Sequence, residues 1–270
     1  MYSSAHKFEN IRLSQDYNKG NITMAFASKR SGRKSKKRPR CSAVIVAAGM
    51  SQRMDGEDKL FLEILGAPVL AYSLTAFQNC TCIDEIVIVA REESLGRVSE
   101  LCRNYGVSKA ANVITGGTTR LESVMNGLLA VSKKTELAAI HDGARPCVTD
   151  AVIARTVGEA MEFYAAAPGI PVRSTLKRVG GRVIVETVDR DDLYEIQTPQ
   201  VFDADLIKAA LASAIKKGVE ATDDCMAVEM LGVPVHITEG SPYNIKITTK
   251  EDIAIAEAML NIIGKGNGAL

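Results

Sequence analysis

The run Ala43-Val44-Ile45-Val46-Ala47-Ala48 stops at Gly49, and Met50-Ser51-Gln52-Arg53-Met54 and Asp58-Lys59 follow it. An apolar run rich in β-branched residues, with no alternating polar positions, marks a strand buried on both faces. It ends where an open α/β sheet takes its ligands, beyond the carboxyl end of the strand. Gly49 is able to adopt a positive φ and leaves room for a close ligand. Successive backbone N–H groups in such a turn form an anion-binding hollow, and Arg53 and Lys59 set two cations beside it. Strand, glycine turn and cations predict a polyphosphate cradle; the plain alternative is an ordinary strand–turn with surface charges. There is no G-x-x-x-x-G-K-[ST], which excludes a P-loop, and no G-x-G-x-x-G here, which weakens a dinucleotide site.

The rest of the chain supplies the sheet. Pro68 to Phe77 reads as a helix with proline in its first turn, and Ile86 to Val89 as a strand. Glu92 to Tyr105 has helical spacing and stops near Gly106; Val113-Ile114 is a short strand and Thr119 to Val131 a helix. Leu137 to Ile140 is a strand ending at His141-Asp142, Val152 to Tyr164 a helix, and Ala165 to Val172 a strand. This alternation predicts an α/β fold with a doubly wound, Rossmann-like, mostly parallel sheet. Ser174 to Asp189 breaks the rhythm. It alternates apolar and polar residues around Gly180-Gly181 and predicts a projecting β-hairpin arm, reaching a second subunit or covering a site. Its plain alternative is a flap packed on its own domain. Helices over Asp203 to Lys217 and Asp224 to Leu231, strands over Val233 to Thr238 and Asn244 to Ile247, and a final helix capped by Thr248 or Thr249 complete the order.

Charge divides the chain at about residue 40. Residues 1–40 hold 11 of the 33 Lys/Arg and 2 of the 32 Asp/Glu, which leaves 22 basic and 30 acidic residues after them. The body, residues 41–270, is therefore acidic and not a general nucleic-acid binder; its phosphate chemistry must rest on local cations. The basic segment Ser28 to Arg40 predicts a disordered tail. A solvated extension is its plain reading, and attachment to nucleic acid or an anionic surface the sharper one. Scarce acidic residues would suit a transit peptide, but Glu9, Asp16 and the lack of an amphipathic arginine helix speak against it, and Met24 is an alternative start. No apolar run approaches the roughly 18 residues that span a bilayer. The six cysteines show no C-x-x-C or zinc spacing, which points to reduced thiols in a cytoplasmic protein.

Three further polar clusters fall at or beside strand ends. Gly116-Gly117-Thr118-Thr119-Arg120-Leu121-Glu122-Ser123 joins a strand to a helix; its glycines and Ser/Thr donors suit a base, ribose or phosphate, or else a plain capped turn. In His141-Asp142-Gly143-Ala144-Arg145-Pro146, Asp142 is a candidate magnesium ligand beside a triphosphate, or the partner of Arg145 in a loop ion pair. His141 reads as packed or hydrogen-bonded inside the sheet. In Ala221-Thr222-Asp223-Asp224, Asp223 is a second candidate Mg²⁺ ligand or a helix N-cap. Together they suit metal-dependent attack on a nucleoside triphosphate.

The loop AVIVAAGMSQRM with Lys59 resembles that of sugar-nucleotide-type nucleotidyltransferases, the nucleotide-diphospho-sugar transferase type. With ITGGTTRLESVMNGL, HDGARP, PVRSTLKRV, TVDRDDLYEIQTPQVF, ATDD and NIKITTKEDIAIAE in order, the chain from about Ser42 to Ile262 resembles the 2-C-methyl-D-erythritol 4-phosphate cytidylyltransferase family. Ser51 departs from it, standing where the family loop often has a second glycine. The resemblance implies a Mg²⁺-dependent enzyme that joins CTP to the methylerythritol phosphate. Arg53 and Lys59 would stabilise the transition state. Ala47, Ala48, Gly49, Gly117, Thr118 and Ser123 would hold CTP, with Arg120 in the same cluster. Asp142 and Asp223 would lie near metal and substrate, with Arg145 and Lys246 around them and Thr198 close by. Thr175 and Arg190, flanking the arm, would reach the sugar phosphate in the other subunit of a homodimer. A phosphate nucleophile needs no general base, so the missing Ser/His/Asp or Cys/His arrangement is expected. The competing readings are the same transfer to another polyol phosphate such as ribitol 5-phosphate, a nucleic-acid module using the tail, and a nicotinamide oxidoreductase.

Overall fold

The computed structural model describes residues 38–49 and 58–267. The expected tail up to residue 37, Ser51 and Arg53 therefore lie outside the described residues. Arg40–Leu270 forms one compact unit.

The opening run forms strand β1 (Cys41–Ala47), buried along nearly its whole length. A short 3-10 helix (Lys59–Phe61) and a small hairpin, β2 (Glu63–Ile64) with β3 (Ala67–Pro68), lead into helix α1 (Val69–Asn79). Strand β4 (Glu85–Ala90) is wholly buried. The segment expected as one helix from Glu92 begins as a 3-10 turn (Glu92–Ser94), and α2 covers Leu95–Asn104. Gly106, at φ +63°, turns the chain after it. Then come β5 (Ala110–Thr115), α3 (Arg120–Ala130), β6 (Leu137–Asp142), α4 (Asp150–Phe163) and β7 (Ala165–Pro171). The arm is β8 (Leu176–Gly180) with β9 (Val183–Val188); β10 (Tyr194–Ile196), β11 (Gln200–Asp203), α5 (Ala204–Lys216), α6 (Asp224–Glu229), β12 (His236–Glu239) and α7 (Glu251–Asn267) follow.

One sheet of eight strands runs β5-β4-β1-β6-β11-β7, with β10 and β12 also on β7. The pairs β1–β4, β1–β6, β4–β5 and β7–β12 are parallel, while β11 is antiparallel to both neighbours. Gln197 N–H donates to Pro168 O and Asp203 N–H to Tyr164 O, so β10 and β11 share one edge of β7. Gly240 N–H bonds Gly169 O on the opposite edge, where β12 lies. The Thr198–Pro199 peptide between β10 and β11 is cis.

Both sheet faces are covered, which is why these strands carry unbroken apolar runs. Ala43, Ile45, Ile86, Ile88 and Ala139 pack with Leu70, Leu74, Phe77, Val98 and Ile153 from α1, α2 and α4. On the other face α3 lies close enough that a Cβ at Gly127 would stand 2.4 Å from Val44 Cγ1. A satellite cluster of Ile64, Val69, Tyr72, Ile247 and Ala256 docks α7.

Two expected strands change. Val233 to Thr238 shortens to β12, and Asn244 to Ile247 is irregular. In that segment Ile247 N–H bonds Ala144 O, while Asn244 O and Ile247 O accept from side chains, so no strand ladder forms. The arm pairs as expected around Gly181, whose φ is +62°. Val183 and Val185 on one side and Ile184 on the other are 69%, 64% and 61% exposed, so neither face of the arm is covered by its own chain.

Candidate active site

A cavity of about 700 Å³ opens beyond the carboxyl ends of β1, β4, β5 and β6. Ala47, Ala48, Gly49, Lys59, Gly117, Thr118, Arg120, Ser123, Asp142 and Lys246 all line it, bringing together ten candidates scattered over two hundred residues of sequence. Gly49 does not use the positive φ open to it; a Cβ there would meet nothing within 4 Å, so what it contributes is the open space expected for a close ligand.

The β5–α3 loop needs both its glycines. A Cβ at Gly116 would stand 2.6 Å from Ala48 Cβ, and one at Gly117 would stand 2.3 Å from Glu122 Cβ. Thr119 caps α3, its side chain accepting from Glu122 N–H. Glu122 Oε2 accepts from the Thr118 hydroxyl, from Thr118 N–H at 2.8 Å and from Thr119 N–H at 3.1 Å, and these bonds, the hydroxyl's first, hold its carboxyl below the ordinary range. Ser123 Oγ accepts from Gly117 N–H at 3.0 Å and donates to Thr119 O. The loop thus offers a ligand close backbone approach, while the donors anticipated there are engaged within the loop.

Lys59 opens the 3-10 helix capped by Asp58, whose carboxylate also pairs with Arg91. Its Nζ donates to Ile247 O at 2.8 Å. Asp142, at the end of β6, gathers the other cations: Lys246 Nζ at 2.8 Å, Arg145 Nε at 3.7 Å and Arg120 Nη2 at 3.7 Å. Burial alone would raise its pKa, but Lys246, Arg120 and Arg145 outweigh burial and hold the carboxyl well below the usual range. The loop ion pair between Asp142 and Arg145 is thus present as one member of a larger group.

Three residues outside the sequence-derived set, Asp224, Gln200 and Asn244, shape this geometry. Asp224, fully buried, accepts Arg120 Nη1 at 2.9 Å and Nη2 at 2.7 Å. Gln200 Oε1 accepts from the Asp224 and Cys225 N–H groups, and its Nε2 donates to Asp223 Oδ2. Asp223 caps α6 through Oδ1 and Met226 N–H. Asn244, also buried, donates to Thr198 O and Gln197 Oε1, while its own backbone carbonyl accepts Arg145 Nη1 at 2.7 Å. The irregular segment Asn244 to Ile247 therefore holds Arg145 and Lys59 by backbone carbonyls and carries Lys246 itself.

Thr198 and Arg145 approach Asp142 from outside the cavity wall. The Thr198 hydroxyl bridges Asp142 N–H (3.1 Å) and His141 Nδ1 (2.9 Å). His141 is fully buried beside Phe77, as expected, and burial pulls its pKa down to about 3. A folded-state pKa below the unfolded ~6.5 means that the unfolded chain binds the extra proton between those values, so stability falls as pH drops through that window. From pH 7 to 5 the histidine is expected to remove about 2 kcal/mol. Urea midpoints of the parent and of His141→Gln at both pH values test this: an equal pH loss in the two would rule it out. Thr175 and Arg190 are exposed at the base of the arm, away from the cavity wall of their own chain, and Arg190 donates to Arg173 O.

The sheet, the strand-end cavity and its cation-ringed carboxylate define a nucleotidyltransferase-type α/β enzyme. A family model described as 2-C-methyl-D-erythritol 4-phosphate cytidylyltransferase matches residues 41–262. The relative of that name from Halalkalibacterium halodurans is 43% identical over 220 residues, 81% of this chain and 96% of that protein. The one from Caldanaerobacter subterraneus is also 43% identical, over 81% of this chain and 98% of its own length. A crystal structure of 4-diphosphocytidyl-2C-methyl-D-erythritol synthase from Anaerococcus prevotii superposes with a TM-score of 0.74 at 31% identity, covering 83% of this chain and 96% of that one. This chain belongs to the 2-C-methyl-D-erythritol 4-phosphate cytidylyltransferase family.

Proposed function

We propose that the protein transfers the cytidylyl group of CTP to 2-C-methyl-D-erythritol 4-phosphate. The products are 4-diphosphocytidyl-2-C-methyl-D-erythritol, an intermediate of the non-mevalonate isoprenoid pathway, and pyrophosphate. The observation that carries this reading is the cavity itself, where Lys246 and Arg120 face one ionised carboxylate and Lys59 lines the same wall, beside the glycine loop of a family-matched fold. A phosphate oxygen of the acceptor attacks the α-phosphorus, and the bond to the β,γ-pyrophosphate breaks. Positioning and charge neutralisation are the whole of the protein's task. Ala47, Ala48, Gly49, Gly117, Thr118, Arg120 and Ser123 form the wall that holds CTP; Arg53 and Lys59 meet the charge that develops on transfer. Pyrophosphate release with CTP across a panel of polyol phosphates tests the assignment. Equal or faster turnover with ribitol 5-phosphate would overturn the acceptor.

The donor set suits Mg²⁺. No cluster of three or more His, Cys, Asp or Glu side chains exists among the described residues, as a transition-metal cage would require. Mg²⁺ instead takes one or two carboxylates and completes its shell with phosphate oxygens and water. Asp142 lines the cavity and is held ionised, so it is the principal ligand we assign; Asp223, already engaged by Met226 N–H and Gln200, is the secondary one. When bound, the ion would neutralise triphosphate charge. Asp142→Asn is expected to raise the half-activating Mg²⁺ concentration by about tenfold or more. A magnesium titration matching the parent's, in a variant shown to be folded, would remove Asp142 from the metal shell.

The uncovered apolar faces of the arm support a homodimer built through residues 174–189, with Thr175 and Arg190 completing the partner's sugar-phosphate pocket. No disulfide joins any of the six cysteines, which suits a reducing, cytoplasmic setting. Among the described residues no helix is long and apolar enough to cross a membrane.

A further inference from the structure

Arg120 stands between two carboxylates. Its fork is closed on Asp224, with both terminal nitrogens within 2.9 Å of separate oxygens, while Nη2 stays 3.7 Å from Asp142 Oδ1. Asp224 is fully buried, and Gln200 fixes its backbone N–H. A bidentate pair out of water is strong and directional, so the buried carboxylate decides where the guanidinium points. Asp142 already carries Lys246 at 2.8 Å. If Arg120 were released, Asp142 would be the nearest acceptor for its charge. A second tight cation there would occupy Oδ1, the oxygen that Lys246 and Arg145 leave open.

We propose that Asp224 is a positioning residue of this site: by holding both arms of Arg120 it keeps that cation off Asp142 and leaves the Asp142 carboxylate open to a divalent ion. The proposal rests on the assignment of Asp142 to the metal shell. It adds a residue that touches neither substrate nor metal and acts only through Arg120. It also gives the adjacent acidic residues of Ala221-Thr222-Asp223-Asp224 different tasks. Asp223 caps α6, and Asp224 restrains a side chain from another helix.

The test is a double-mutant cycle read by Mn²⁺ binding to the enzyme–CTP complex, counted by electron paramagnetic resonance, and by crystallography. Asp224→Asn is expected to weaken Mn²⁺ binding about tenfold, the scale of one lost charge-assisted bond. The Arg120–Asp142 separation should contract from 3.7 Å to direct contact. With Arg120→Met already in place, the same Asp224→Asn change should alter Mn²⁺ binding less than about twofold, because the guanidinium that Asp224 restrains is gone. Equal weakening in both backgrounds, or an Arg120 that stays put in the crystal, would overturn the proposal. Should Asp224→Asn not fold, Arg120→Lys replaces it: lysine lacks the fork, so it too should approach Asp142 and weaken Mn²⁺. An Mn²⁺ affinity unchanged in Arg120→Lys would refute the role. If Asp142→Asn leaves Mn²⁺ binding intact, the metal assignment fails. If the parent releases no pyrophosphate from CTP, the activity fails; the crystallographic distance reads Asp224 in either case.

Discussion

Replacing Lys59 by alanine is expected to lower kcat by about 10²–10³ while changing the affinity for CTP only a few-fold. In the free protein Lys59 Nζ bonds a neutral carbonyl, that of Ile247, from a short helix locked by Asp58 and Arg91. The ammonium is therefore already placed at the cavity wall. Exchanging the carbonyl for a phosphoryl oxygen gains most when charge on that oxygen grows, which is on the way to the transition state. A group that binds ground and transition states unequally acts on kcat rather than KM. The fold should survive, because the substitution removes a hydrogen bond to a neutral acceptor, worth about 1.5–3 kcal/mol when the donor is charged. Arg53→Ala is expected to behave alike. Steady-state kinetics together with CTP binding by calorimetry separate the two effects. Near-normal turnover in a folded Lys59→Ala protein, or a kcat loss matched by an equal loss of CTP affinity, would remove Lys59 from transition-state stabilisation.

The parts of this site that are legible in the sequence are those where one residue type has one local job. Ala43 to Ala48 carries no polar residue because helices cover both faces of β1, and the run alone places the strand end at the cavity. Gly116 and Gly117 announce close approach, and the structure gives each a neighbour that a Cβ would strike. Asp142 is legible for a related reason, since a carboxylate at a buried strand end needs cations. What sequence does not disclose is which cations, because Lys246 and Arg120 reach Asp142 from loops and helices far away in the chain.

The features that sequence hides have a common physical cause. Ile245-Lys246-Ile247 alternates like a strand, yet Asn244 O and Ile247 O at the two ends of the segment accept from the side chains of Arg145 and Lys59, a pairing that periodicity cannot express. Asp224 is indistinct beside Asp223 because both stand at the start of a helix, and only burial against Arg120 tells them apart. Gln200 and Asn244 look like ordinary polar loop residues. Their carboxamides instead satisfy buried polar groups, and a buried amide of that kind has no sequence signature. The short strands β10 and β11 are hidden for lack of length: four residues or fewer show no period.

Mixing an inactive Lys59→Ala chain with an inactive Arg190→Ala chain is expected to restore activity once subunits exchange. Val183, Ile184 and Val185 leave both faces of the arm open, and a lone two-stranded hairpin is marginal in water. A two-fold copy would supply the missing surface, since self-complementary dimers are the commonest closed assembly. Arg190 is exposed at the foot of this arm and lines no part of its own chain's cavity, whereas Lys59 does. If each site combines the Lys59 of one chain with the Arg190 of the other, a heterodimer holds one site with both lesions and one with neither. Its activity should therefore reach up to about half that of a parent dimer, from two preparations that are each nearly inactive. Arg190 suits the task because its planar fork binds a phosphate through two hydrogen bonds, and lysine at this position should rescue poorly. Heterodimers are verified with two affinity tags before the rate is read. No recovery in verified heterodimers would place Arg190 in its own chain's site or outside the chemistry, and recovery without any dimer would remove the arm from assembly.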